Sequence, residues 1–388
     1  MKQNSEIFSP KSKDLNLARF FVGVGLVALL VLFFKDSHRA WGNVLINNFY
    51  FLSLALAGLL FMAIQYVANA GWWTVLRRIP ESMMSFLPIA AGLMFTLFLG
   101  MHELYHWSQL YNSMDNSVVY DAVLQKKSAY LNIPFFMLRM GVFLGVWIFF
   151  SKLFRKASLE EDQGSQSHSK FLKYSAIFLP IFAVTFSLAS VDWIKSLEPH
   201  WFSTIFGLYT FSGLFLHGIA FMTLAVVLLK ERGYLSFVNE NHLHDLGKLV
   251  FAFSTFWAYI WFCQYMLIWY SNIPEETVYY VTRTDPEWSW LFVLNLVMNW
   301  LVPFLILMPR SSKRKAMVLK RVCLLLLVGH WLDLYLMVMP SISHVTQVRW
   351  IGVEEILISL GYGGLFALIL MRSLSAAPLT PQKAPFLS

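Results

Sequence analysis

The chain has 388 residues, of which 57% are hydrophobic, 17% aromatic and only 13% charged. A soluble domain carries about a quarter of its residues as charges, so water is not the main solvent of this chain. Its formal net charge of +8 is then read as a record of membrane orientation, and no nucleic-acid partner is expected.

Ten nearly uncharged apolar runs, each long enough to cross a hydrocarbon core of about 30 Å, predict ten transmembrane helices over 17–34, 46–68, 82–105, 131–152, 174–193, 203–229, 249–272, 288–308, 319–339 and 350–371. Run 1 follows a polar tail and precedes Lys35 and Asp36 without a small-residue cleavage site, so it reads as a retained helix and not a signal peptide. Run 3 closes on His102-Glu103-Leu-Tyr-His106, a literal H-E-x-x-H sequence. In a metalloprotease that spacing puts two histidines on one helix face to hold zinc, with the glutamate as general base. The third ligand of an intramembrane enzyme is typically an aspartate followed by glycine, whereas Asp333 is followed by Leu334, so no metal site is expected. A bis-histidine haem using two of His102, His217 and His330 is an alternative that requires facing histidines at matched depth.

Run 4 contains Arg139, and the polar stretch 152–173 after it reads as a flexible cytoplasmic linker. Run 5 ends in Asp192-Trp-Ile-Lys-Ser-Leu-Glu-Pro199 and run 9 in Asp333-Leu-Tyr-Leu-Met-Val-Met-Pro340, each with an aspartate seven residues before a proline. This weak repeat fits two four-helix bundles, 46–193 (helices 2–5) and 203–339 (helices 6–9), flanked by helices 1 and 10 in one polytopic all-α membrane domain, 1–388. Run 7 begins at His244-Asp245-Leu-Gly-Lys248, where the acid and the lysine share a helix face. Its aromatic stretch 257–270 suits a lipid-facing or interfacial belt, or the lining of a quinone cleft. The two cysteines, Cys263 and Cys323, lie at different expected depths and predict no disulfide and no thiolate metal site.

The N-terminal tail, the loops after helices 2, 4, 6 and 8 and the C-terminal tail carry 22 of the 30 Lys and Arg, against 7 in the alternate loops. Both termini are therefore expected in the cytoplasm. That orientation gathers nine ionisable groups in the outer halves of the helices: His102, Glu103, His106, Arg139, Asp192, His330, Asp333, Glu354 and Glu355. Charge inside a bilayer is costly, so each is a functional candidate, although the terminal ones also suit the headgroup region. Arg139 and Asp333, the most deeply placed pair, would most simply bind each other, and His217 reads as a packing histidine. The inner half offers His244, Asp245 and Lys248 as its only evident relays.

The segments AGWWTVLRRIPE (70–81), ASVDWIKSLEPHWFSTIFG (189–207), HDLGKLVFAFSTFWAYIWFCQYMLIWYSNIPEET (244–277) and HWLDLYLMVMP (330–340) together resemble the membrane subunits of alternative complex III, a quinol:cytochrome c oxidoreductase, within the NrfD or polysulfide-reductase membrane-subunit superfamily. Length and the GWWTVLRR segment favour the shorter of that complex's two related membrane subunits. The resemblance implies a bacterial inner-membrane respiratory complex that oxidises quinol, with haem c and iron–sulfur subunits and a related, longer NrfD-like protein as partners in the lipid bilayer. It implies no redox cofactor on this chain and a proton path, which the nine outer groups and the scarcity of inner relays would make a half-channel. A quinone-binding subunit in its own right and a secondary transporter are the alternative readings.

The charge asymmetry predicts that reporters fused at Ser388 or inserted within 158–169 report a cytoplasmic position, and one inserted within 112–120 an external position. An external C-terminal reporter would overturn both the helix count and the side assigned to the acidic groups.

Overall fold

The computed structural model describes residues 6–109, 122–164, 168–343 and 350–381. Within them the chain is helical and contains no strand. Ten helices are long and apolar enough to cross a membrane: α1 Ser12–Lys35, α2 Ser37–Val67, α3 Arg78–Leu104, α4 Ile133–Asp162, α5 His168–Leu197, α6 Phe206–Glu231, α7 Glu240–Ser271, α8 Ser289–Leu307, α9 Ala316–Ile342 and α10 Val353–Leu374. An all-α multi-pass membrane protein follows. The first and last described segments meet at one end, where the Leu379 amide donates to the Glu6 carbonyl at 2.8 Å; this is called the near end below, and the opposite one the far end.

Helix neighbours follow one pattern twice. Helix α2 packs on α3 and α5, α3 on α4, and α4 on α5; likewise α6 packs on α7 and α9, α7 on α8, and α8 on α9. The two rings meet through α2 with α6, flanked by α2 with α9 and α5 with α6. Exchanging the rings leaves that set of contacts unchanged, which is the organisation expected of two parallel repeats. Helices α1 and α10 form a separate pair against α2 and α3. Close approach needs small residues: a Cβ on Gly218 would strike the Ala57 side chain at the α2–α6 crossing, and Gly25 of α1 lies against Gly361 of α10. Small residues at helix crossings are the usual means of association in lipid.

Because α2 is buried along its whole membrane-spanning stretch, its polar side chains need protein partners. The Asp36 side chain accepts the Arg39 amide at 2.9 Å and caps the helix. Asn48 donates to the Leu93 carbonyl of α3 at 2.7 Å and accepts Tyr362 of α10 at 2.8 Å, tying the outer pair to the first ring. Cys263 and Cys323 are both free.

The stretch expected to be a linker, 152–173, is largely helix. Helix α4 continues to Asp162 and α5 starts at His168, because the polar residues of this stretch are partners of buried arginines. Arg77 binds Glu161 and lies 3.3 Å from Glu81; Arg78 binds Glu81 at 2.6 Å, Asp162 and, at 2.8 Å, the Ser158 hydroxyl; Arg155 and Ser158 also bind Glu81. Three cations and three carboxylates thus close the near end of the first ring, and Glu81 is fully buried at their centre. A reporter inserted at 158–162 would break this network, so 163–167 is the better site.

Breaking a buried pair by removing one partner costs about 3–5 kcal/mol, because a charge is left without a counter-ion. Glu81→Ala strands parts of Arg77, Arg78 and Arg155 together and is expected to cost at least that much. The check is the thermal unfolding midpoint of detergent-solubilised protein; an unchanged midpoint would show that the network is not a closure of the bundle.

Candidate functional site

At the core of the second ring Asp333 of α9 is 1% exposed. Its Oδ1 accepts the Tyr209 hydroxyl from α6 and the Asn295 side-chain amide from α8 at 2.8 Å, and its Oδ2 accepts the Trp257 indole N–H from α7 at 3.1 Å. Every helix of the ring therefore contributes to one carboxyl group. All three donors are neutral. The basic side chain that contacts it among the described residues is His330, one turn back on α9, whose Nδ1 lies 3.7 Å from Oδ2.

Two prolines shape this centre. Pro303 has no N–H for the Asn299 carbonyl four residues earlier, and the Ser254 hydroxyl of α7 donates to that carbonyl instead, at 2.6 Å. The preceding turn, Val297–Leu301, is widened to π geometry, a device often found at functional sites. It presents Asn299 to Asn295 at 2.6 Å and thereby continues the polar chain from Asp333. Pro340 likewise frees the Leu336 carbonyl, which accepts Arg283 Nε at 2.8 Å. The same guanidinium donates to the Met337 carbonyl at 3.0 Å and is paired with Glu198 at 3.1 Å, over the Tyr279 ring. Tyr279, in the short helix Pro274–Thr284 outside the spans, has its hydroxyl pKa pushed up to about 12 by burial, in spite of the neighbouring Arg283.

Between Asp333 and this cap lies a cavity of about 10 Å³ lined by Tyr209, Gln264, Tyr280, Arg283 and Asn295, room for about one water. Gln264 donates to Tyr280 at 3.1 Å and accepts the partly exposed Ser203 hydroxyl at 3.3 Å. Polar groups thus extend from Asp333 towards the far end.

On the other side of His330 the ring of His217 stacks at 4.0 Å and 15°, and Tyr50 of α2 stacks on His217 at 5.2 Å. Gly213 makes room for this, since a Cβ there would strike the His330 ring. His217 Nδ1 bonds the Gly213 carbonyl at 2.7 Å, while His217 Nε2 and His330 Nδ1 have no hydrogen-bond partner among the described residues. Stacked rings cannot serve as an axial pair, in which both ring nitrogens must point at an iron held between them. A cavity of about 340 Å³ between α2, α6, α9 and α10 ends on Tyr50.

The remaining far-end groups form separate pairs rather than one chain. Arg139 does not bind Asp333; it forms a two-pronged pair with Asp192 on the adjacent helix, at 2.6 and 3.1 Å, because α4 neighbours α5 and belongs to the other ring. Glu354 binds the exposed Lys35 at 2.6 Å. Glu355, fully buried, binds Arg39, which also donates to the Trp350 carbonyl at 3.0 Å. Glu103 meets Ser37 and His38 at 3.0 Å. The chain is extended at Tyr105, so His102 and His106 are not on one continuous helix and the zinc reading loses its geometric premise. His102 contacts Ser108 at 3.1 Å, and both histidines are exposed. Among the described residues no cluster of three or more His, Cys, Asp or Glu could hold a metal ion. At the near end a half-buried Asp245 pairs with the exposed Lys248 at 2.7 Å on one helix face, and His244 is half-buried beside them.

Sequence reasoning did not single out Tyr209, Trp257, Asn295, Asn299, Gln264, Tyr280, Arg39 and Arg283. The neutral donors among them carry no charge to mark them, but Asn295 and Asn299 four residues apart in an apolar run, followed by Pro303, were a visible signal, as were the cations Arg39 and Arg283. Trp257 and Trp261 of the aromatic stretch face inward, whereas Tyr259, Phe262, Trp269 and Tyr270 face outward. No protein-family model matches the chain, and no curated protein matches it.

Asp192 and Asp333 occupy corresponding helices of the two rings but have different partners, a guanidinium and an amide. Asp192→Asn leaves Arg139 buried without a counter-ion and is expected to cost about 3–5 kcal/mol. Asp333→Asn leaves a neutral donor mismatched and should cost about 1–3 kcal/mol. Comparing thermal midpoints of the two variants tests this; equal losses would show that Asp333 is held as tightly to an ionised state as Asp192.

Proposed function

We propose that this chain is an integral membrane subunit of a bacterial respiratory quinol-oxidising complex of the alternative complex III type, where it is structural and conducts protons through a half-channel. Membership of the complex rests on the sequence resemblance. It brings with it the expected partners, haem c and iron–sulfur proteins and a related NrfD-like one, and the placement in the inner membrane with both termini in the cytoplasm.

The proton-conducting part is supported by one observation above all, the buried carboxyl of Asp333 surrounded by neutral donors. Protonating Asp192 would strand Arg139, whereas protonating Asp333 strands no cation. A relay must both accept and release a proton, and Asp333 can do both without breaking an ion pair. The water-sized cavity and the Gln264–Ser203 link supply an exit towards the far end, and His330 stands on the opposite side. This narrows the half-channel from nine groups to the second ring. Glu354, Glu355, Glu103, Arg139 and Asp192 are then pairing groups, with His102 and His106 at the surface.

A second reading, that the chain binds quinone itself, is favoured by the 340 Å³ cavity that ends on Tyr50, whose ring stacks on His217. Both readings use the same histidines and differ in where the proton starts.

In purified complex, Asp333→Asn is expected to lower quinol oxidation per mole of haem by at least tenfold, and the proton release recorded in proteoliposomes with it, while subunit content stays normal. Gln264→Leu should slow proton release with little effect on assembly. Unchanged turnover and release in Asp333→Asn would end the proton-conducting assignment and reduce the chain to a scaffold.

A further inference from the structure

A third cavity lies at the far end of the first ring, about 210 Å³ in volume, between the segment preceding α4 and the end of α5. Two of its lining residues, Lys127 and Lys195, are cations and electrostatic neighbours of each other. The other far-end cations already described have acids: Arg139 has Asp192, Arg283 has Glu198, Arg39 has Glu355 and Lys35 has Glu354. Among the described residues the Lys127 ammonium has only a neutral acceptor, the Pro199 carbonyl at 2.6 Å, and the Lys195 ammonium has no hydrogen bond or ion pair. Among the described residues the one acid lining the cavity is Glu198, and its Oε1 is already shared by Arg283 and the Ser341 hydroxyl at 2.5 Å. The described lining therefore carries an excess of positive charge in partly buried surroundings. Two like charges there repel more strongly than in water, and an anion bound between them would turn the repulsion into two attractions.

We propose that this pocket is a binding site for a phosphate group. Lysine is a compact point charge suited to phosphate, and the volume equals that of several waters at about 30 Å³ each, enough for a phosphate ester. One wall is rigid: Trp201 stacks on Tyr279 at 4.0 Å and donates to the Glu276 carbonyl at 3.0 Å. Tyr130 forms another part of the lining. Aromatic side chains and lysines at the end of spanning helices sit at headgroup depth, so the phosphate can come from an anionic phospholipid or from solution.

The full chain, purified with whatever subunits accompany it, is reconstituted in phosphatidylcholine nanodiscs with a minor fraction of phosphatidylglycerol. Anionic lipid retained after detergent extraction is then counted by mass spectrometry. Each lysine near an anionic surface contributes about 1 kcal/mol, so Lys127→Gln with Lys195→Gln should lower retention by roughly tenfold or more, whereas Lys195→Arg, which keeps the charge, should retain it. If the double variant does not fold, Lys127→Gln alone, at a half-exposed position, should lower retention several-fold. A second arm adds inorganic phosphate and follows its ³¹P linewidth. Broadening by wild type and not by the lysine variants assigns the site to soluble phosphate, and lysine-dependent lipid retention without broadening assigns it to headgroups. Equal lipid retention and equal linewidths in wild type and the lysine variants would overturn the proposal.

Discussion

A guanidinium buried in a helical membrane protein has no water to solvate it, so it must find a carboxylate or a set of carbonyls inside the protein. This requirement organises both ends of the fold. At the near end Arg77 and Arg78 draw Glu161 and Asp162 of α4 onto the start of α3, which makes helix of a segment that composition marks as polar linker. At the far end Arg139 joins α4 to α5, Arg39 joins α2 to α10, and Arg283 ties the short helix Pro274–Thr284 to the end of α9. Buried ion pairs offset their own desolvation only when well hydrogen-bonded. Their evident consequence here is which helices touch and at what depth, rather than a large net stabilisation.

The prolines act within that frame. In water a freed helix carbonyl is simply hydrated; in a bilayer it needs a donor from another helix. Ser254 serves the carbonyl freed by Pro303, and Arg283 the one freed by Pro340. Each repair links α7, or the helix that follows it, to α8 or α9, and the two repairs flank Asp333 in space. The residues that aim at Asp333 are thus held by the same contacts that tolerate the kinks.

The apolar runs made the ten helices legible, since run length and hydropathy follow from the thickness of the hydrocarbon core. The aspartates at 192 and 333, each seven residues before a proline, lie on corresponding helices of the two rings. What composition does not encode is the partner of each charge. Arg139 and Asp333 are both deep, yet pairing depends on helix adjacency, which places Asp192 beside Arg139 instead. The spacing argument for H-E-x-x-H assumes an unbroken turn of helix, and the backbone at Tyr105 leaves helical geometry. The site around Asp333 was half visible, because the acid and His330 carry charge and stand out in an apolar run, while Tyr209, Trp257 and Asn295 do not.

The two rings share a scaffold but not a chemistry, and one difference lies between the corresponding helices α4 and α8. Where α4 offers Arg139 to the aspartate of its neighbour, α8 offers Asn295. An arginine fixes its carboxylate as an ion, because protonating that carboxylate would leave a buried cation unpaired. An amide donates a hydrogen bond without adding charge, so the carboxyl beside it can change protonation without stranding a partner. The first ring is further closed at its near end by the Glu81 network, whereas the second has a water-sized cavity beside its aspartate and a histidine stack behind it.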